Sequence, residues 1–220
     1  LSQKIVDTSF KFVSTLSEII PFSPNTEVQL LISPECMHRF QNIATKLSEE
    51  IQNGPYYQYN DIDNINDNAS KLNSWILLGS LTESTLQIFL AFYIEDYKRS
   101  KWQQWEEIDL TDIQNTIISF INSLVQQQKL SSKQAKSLKK AFQSKLDEHT
   151  NEHSVEKITL DEIIQYYASQ GLMDEDELSY LRIIQSNRNG IHSFQKRTLG
   201  TWNDLQYCVR FWCYLLDWIL

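Results

Sequence analysis

Apolar residues recur every three or four positions through most of this chain, the spacing of helices with one buried face. Ile5, Val6, Phe10, Phe12, Val13, Leu16, Ile19 and Ile20 predict a first helix that stops before Pro21 and Pro24. Glu27 to Ile32 reads as either a short helix or an extended piece. Ser33 followed by Pro34 is an N-cap with proline at the first helical position. The helix it opens carries Met37, Phe40, Ile43, Ala44, Leu47 and Ile51 on one face, and Asn53-Gly54-Pro55 reads as its end. From Ser70 to Tyr97 the apolar character is nearly continuous, which predicts a central helix. Further helices are expected over Leu110–Val125, Ser131–Asp147 and Leu160–Ser169, the last ending at Gly171. Asp174 with Glu177 makes a capping box for a helix reaching about Ser186. Thr201 and Asp204 cap a last helix that turns Trp202, Leu205, Cys208, Val209, Trp212, Leu215, Leu216 and Ile219 toward the core.

Composition sharpens this into a fold class. Only 5 Gly and 4 Pro in 220 residues leave too few turn residues for a sandwich, a barrel or an α/β fold, whereas 41% hydrophobic and 12% aromatic residues suffice for a packed core. The expectation is an all-α helical bundle. Residues 1–52 are expected as N-terminal helices packing on the bundle, 53–69 as a polar loop with Tyr56, Tyr57 and Tyr59, and 70–220 as the main helical domain. Three cysteines without a CxxC pair argue against a disulfide framework and for a reducing, cytoplasmic setting. Leu1 opens a segment alternating polar and apolar residues, unlike a signal peptide. Trp75–Ile94 reaches spanning length but contains Glu83 and Gln87, so a buried core helix is expected in place of a membrane span. In such a setting the Asn68-Ala69-Ser70 sequon is idle.

The net charge of −8 is unevenly spread. Six lysines and no acid lie between Lys129 and Lys145, and Arg182, Arg188, Lys196 and Arg197 stand without an acid between Leu181 and Asn203. These forty residues hold half of the 20 basic residues, so the remaining 180 carry a net −18. Lys129, Lys133, Lys136 and Lys140 form one stripe of a helix, either a solvated face or a track for phosphates.

Several chemical patterns can be weighed. Asp61-Ile62-Asp63-Asn64 opens like a calcium loop but lacks the glycine and glutamate that complete one. His149-Thr150-Asn151-Glu152-His153 matches H-x-x-E-H, in which two histidines bind zinc, yet its polar surroundings read as a hinge. His38 stands alone on an amphipathic helix. Arg188-Asn189-Gly190-Ile191-His192 is the best candidate: a permanent cation and a near-neutral imidazole share a helix face. Metal-independent RNA cleavage needs an acid or base at the sugar and leaving oxygens and a cation at the phosphate. The competing reading is that Arg188 and His192 bridge helices, with Asn189-Gly190 a helix end.

The same stretch, entering an aromatic-rich terminal helix after a long apolar helix, resembles the HEPN superfamily (higher eukaryotes and prokaryotes nucleotide-binding). Its members are small helical bundles, many of them RNA-cleaving toxins or antiviral defence nucleases. Leu78-Gly79-Ser80-Leu81-Thr82-Glu83-Ser84-Thr85-Leu86 looks like the HEPN core helix whose polar face adjoins the Arg–His pair. The resemblance covers residues 70–220. It implies an endoribonuclease without metal or cofactor, with Arg188 on the scissile phosphate, His192 as acid/base, Asn189 in support and Glu83 as a neighbour. Arg182, Lys196, Arg197, Lys133, Lys136 and Lys140 would then bind RNA. It further implies a cytoplasmic homodimer, paired through Tyr207, Phe211, Tyr214 and Trp218, with a cognate antitoxin or defence partner and no membrane. One departure stands out: three residues separate Arg188 from His192 and nine separate Arg182 from it, where the family motif has four to six. Two other readings remain: a non-catalytic HEPN-like module binding RNA, a nucleotide or a protein partner, and a helical interaction protein with no nucleic-acid role.

Overall fold

Ten α-helices and two 3-10 turns make up the regular structure, with no strand among the described residues. The computed structural model describes residues 1–19, 25–59, 64–99, 110–150, 154–191 and 199–219. In order the helices are α1 (Ser2–Ile19), α2 (Thr26–Leu31), α3 (Pro34–Tyr59), α4 (Asn64–Phe92), α5 (Ile94–Arg99), α6 (Leu110–Gln126), α7 (Ser132–Thr150), α8 (Leu160–Gln170), α9 (Glu175–Arg188) and α10 (Trp202–Ile219). The 3-10 turns are Val155–Lys157 and Asn189–Ile191. The all-α expectation holds.

Local chemistry accounts for most boundaries. Asn25 caps α2 by accepting from the Glu27 amide, which resolves the ambiguous stretch as helix. Thr159 with Glu162 and Asp174 with Glu177 form full capping boxes at α8 and α9. Thr201 and Asp204 bond each other's backbone N–H at the start of α10. Gly171 ends α8 in the left-handed conformation, φ 63°.

Two expectations need correction. The polar loop at 53–69 is largely helix, since α3 runs on to Tyr59 and α4 begins at Asn64, with Asp61–Asp63 outside the described residues. Gly54 is a site of close approach and not a stop: a Cβ there would lie 2.5 Å from Cζ3 of Trp202. Nor does the chain divide at residues 52 and 69. It forms two units, the first of Leu1–Tyr93 with Ser154–Leu220 and the second of Ile94–His153. The N-terminal helices therefore belong to the same core as α8–α10, and the single helix expected to reach Tyr97 breaks at Tyr93 between α4 and α5.

In unit 1, α4 is central and touches α2, α3, α8, α9 and α10, while α1 packs on α3 and α10. Such a position demands a helix apolar on nearly every side, and Trp75, Leu78, Leu81, Leu86, Ile88, Leu90 and Ala91 are all buried. Among the described residues it is the one helix long and apolar enough to cross a membrane, and more than half of that stretch is buried inside the unit. Two polar side chains tie the central helix to its neighbours, while Trp75 Nε1 and Thr82 Oγ1 on the same helix are buried without a hydrogen-bond partner. Trp212 Nε1 donates to Thr85 Oγ1 at 3.1 Å, and the buried Tyr167 hydroxyl donates to the Leu86 carbonyl at 3.1 Å. Burial holds the Tyr167 hydroxyl well above its ordinary pKa.

Cys208 and Cys213 are buried free thiols on α10. Burial pushes them up to about 12 and about 11 respectively, so at pH 8 they carry almost no thiolate. Iodoacetamide at that pH is expected to label the half-exposed Cys36 and to reach the other two only after denaturation, counted as added mass.

Candidate functional site

The C-terminus of α9 carries Arg188, and the helix dipole there favours a cation. Its aliphatic stem crosses α4 at Gly79, where a Cβ would lie 2.5 Å from the Arg188 Cδ and 2.9 Å from its Cβ. Glycine opens the slot, and no larger residue leaves the stem in place. One turn further along α4 is Glu83, whose Oε2 stands 2.7 Å from Arg188 Nη2. The other oxygen of the same carboxylate accepts the Leu160 amide N–H, 3.1 Å away, at the first turn of α8. Gln87, a turn beyond, donates to the Ile158 carbonyl at 3.0 Å. Gly79, Glu83 and Gln87 thus form a polar stripe at i, i+4 and i+8 on an otherwise apolar helix, and each meets the α8–α9 layer.

The guanidinium is neither free nor sealed: the Arg188 side chain is 31% exposed and that of Glu83 20%. Glu83 takes one edge in a charge-assisted contact. A guanidinium has five N–H donors, and one carboxylate oxygen does not exhaust them. Asn189 caps α9, its backbone N–H donating to the Gln185 carbonyl, and opens the 3-10 turn. Past that turn the described ends of the chain meet again. The Gly200 amide donates to Asn187 Oδ1 at 2.7 Å, and a Cβ on Gly190 would lie 3.0 Å from Leu199 Cδ2.

The residues named from sequence fall into separate groups. Arg188 and Glu83 come together. His192, Lys196 and Arg197 lie outside the described residues. Arg182 donates to Asp161 and Gln185, and Gln185 also donates to Asp161; the bond from Gln185 first, then that from Arg182, lowers the Asp161 carboxyl below its usual range. Lys133, Lys136 and Lys140 are exposed on α7, in the second unit. His38 is exposed on α3. The side chains of His149 and His153 lie outside the described set, and among those described no group of three or more His, Cys, Asp or Glu is placed to hold a metal ion.

The aromatic row of α10 needs one correction. Tyr207, Tyr214 and Trp218 are exposed, but Phe211 is 7% exposed and stacks on Tyr180 of α9, centroids 5.1 Å apart. A position one turn from both Tyr207 and Tyr214 was read as outward, yet α9 covers that side of the helix. Trp218 in turn packs against Phe89, and Arg210 sits over the Tyr207 ring. Sequence reading missed Gly79 as the floor of the Arg188 slot. The signal was there in the Gly-Glu-Gln stripe on an apolar helix.

No protein-family model, curated protein or solved structure matches this chain.

Proposed function

We propose that the chain is a HEPN-like, metal-independent endoribonuclease of the toxin or antiviral defence type, with its site at the end of α9. The observation that supports this most is the fixed, half-exposed Arg188, held by Gly79 and Glu83 and followed four residues later by His192. In this reading the 2′-hydroxyl gives its proton to a base and attacks the adjacent phosphorus. The 5′-oxygen leaves with a proton from an acid, and a 2′,3′-cyclic phosphate results. His192 serves as the acid/base. Arg188 meets the charge that builds on the phosphorane, and Glu83 sets the angle of the guanidinium. Asn189 supports the turn between them, and Lys196, Arg197 and the α7 lysines draw in RNA.

A second reading has its own support. Arg188 already has a carboxylate partner, which suits a non-catalytic module binding RNA, a nucleotide or a protein. Homodimerisation and a cognate antitoxin or defence partner belong to the first reading by resemblance.

The test is cleavage of a mixed-sequence RNA in EDTA by the full chain, beside Arg188→Ala and His192→Ala. Cutting by the wild type, with each variant down by about 10²-fold or more at equal helicity, is the expected result. RNA binding without cutting replaces it with the second reading. Neither cutting nor binding leaves a helical interaction protein.

A further inference from the structure

The second unit is short of interior. On α6 and α7 only Ile121 and Ala135 are buried among the described residues, although α6 carries Ile113, Ile117, Phe120 and Leu124 at steps of four, three and four. Part of that stripe is uncovered: Phe120 is 61% exposed and Ile113 39%, with Ile117 and Leu124 half-buried, and Leu138 on α7 is 47% exposed. Polar bonds close one side of the seam between the helices, Lys139 to Asn122 and Gln114 to Gln143, both 2.7 Å. By helical periodicity the stripe and Leu138 lie on the other side, and Lys133, Lys136 and Lys140 lie on the arc of α7 opposite Leu138. The hairpin thus has one apolar face and one basic face.

We propose that the apolar face is an interface with a second copy of this chain, the two α6–α7 hairpins pairing as a four-helix bundle. Three features select this occupant. The 4-3-4 spacing is that of an a/d seam, which receives another helix and not an extended peptide or a small ligand. The 17 residues of α6 span about 25 Å, and two helices about 10 Å apart offer about 500 Å² per copy. A pair then buries about 1,000 Å², the lower bound for a specific interface. Charge agrees as well. With the two-fold axis along the helices, each α6 faces an antiparallel α7 and the lysine arcs stay in water.

Light scattering and sedimentation equilibrium on the full chain test this, and neither depends on any RNA activity. A dimer is expected at about 50 µM chain. Phe120→Glu and Leu138→Glu are expected to give monomers of unchanged helicity, since both positions are exposed; Ile113→Lys serves if Phe120→Glu does not fold. Tyr214→Ser on α10 is expected to stay dimeric. A monomeric wild type overturns the proposal, as does a dimer that survives both glutamates. So does a dimer lost in Tyr214→Ser alone, which moves the contact to α10. A monomeric wild type whose Tm falls in Phe120→Glu instead means that the chain covers this face itself.

Discussion

Trp212→Ala is expected to remove about 3–5 kcal/mol of stability, a large part of what a domain of this kind possesses. The indole is fully buried on α10. It lies against Phe40 of α3, centroids 6.0 Å apart, and Phe40 in turn meets Phe12 of α1 at 5.7 Å. Its N–H reaches across to Thr85 on α4. One side chain therefore ties α10 to the central helix and to α3, and through Phe40 to α1, and its loss leaves a cavity where these helices meet. Trp212→Phe separates the contributions. The Thr85 hydroxyl keeps its own bond to the Leu81 carbonyl, so phenylalanine should cost well under half as much as alanine. Urea unfolding followed by circular dichroism gives both numbers. Equal losses would place the effect in the hydrogen bond and not in the packing.

The second large effect changes sign with its background. Gly79→Ala puts a methyl group where the Arg188 stem lies and should cost about 1–3 kcal/mol while pulling the guanidinium off Glu83. In an Arg188→Gly chain the obstacle is gone, whereas Arg188→Ala would keep the Cβ that lies 2.9 Å away. Alanine should then be better than glycine by up to about 1 kcal/mol, its usual advantage inside a helix. A double-mutant cycle in urea measures the reversal, and equal destabilisation in both backgrounds would remove the slot from the account. Should the wild type cut RNA, Gly79→Ala is also expected to lose cleavage nearly as fully as Arg188→Ala.

Much of the fold was legible because helices announce themselves locally. Capping pairs such as Asp174 with Glu177, and the run Trp202, Leu205, Cys208, Val209, Trp212, act within a few residues of one another, and the structure has them where periodicity puts them. Several of the failures involve distant partners. Gly54 reads as a helix end until Trp202, 148 positions later, is seen to lie on it. Phe211 reads as outward until Tyr180 stacks on it. The site divides in the same way. Arg188 is marked by its neighbours and Glu83 by being a carboxylate in an apolar helix; no local pattern encodes a pairing across 105 positions, and the family resemblance alone puts Glu83 beside the Arg–His pair. Gly79 stands out only as part of the stripe with Glu83 and Gln87, since a helical glycine alone means nothing until its neighbour is known.

The order of the units along the chain has a consequence for synthesis. Unit 1 is discontinuous: α1–α4 leave the ribosome first, and α8–α10 follow only after the 60 residues of Ile94–His153. At typical elongation rates of about 5–20 residues per second, that is a delay of about 3–12 s. Throughout it, the faces of α4 that will receive Tyr167, Arg188 and Trp212 have no permanent cover. The nascent chain therefore holds its central helix half-dressed for far longer than a helix takes to form. Those seconds are when it is most exposed to wrong partners and most in need of a holdase.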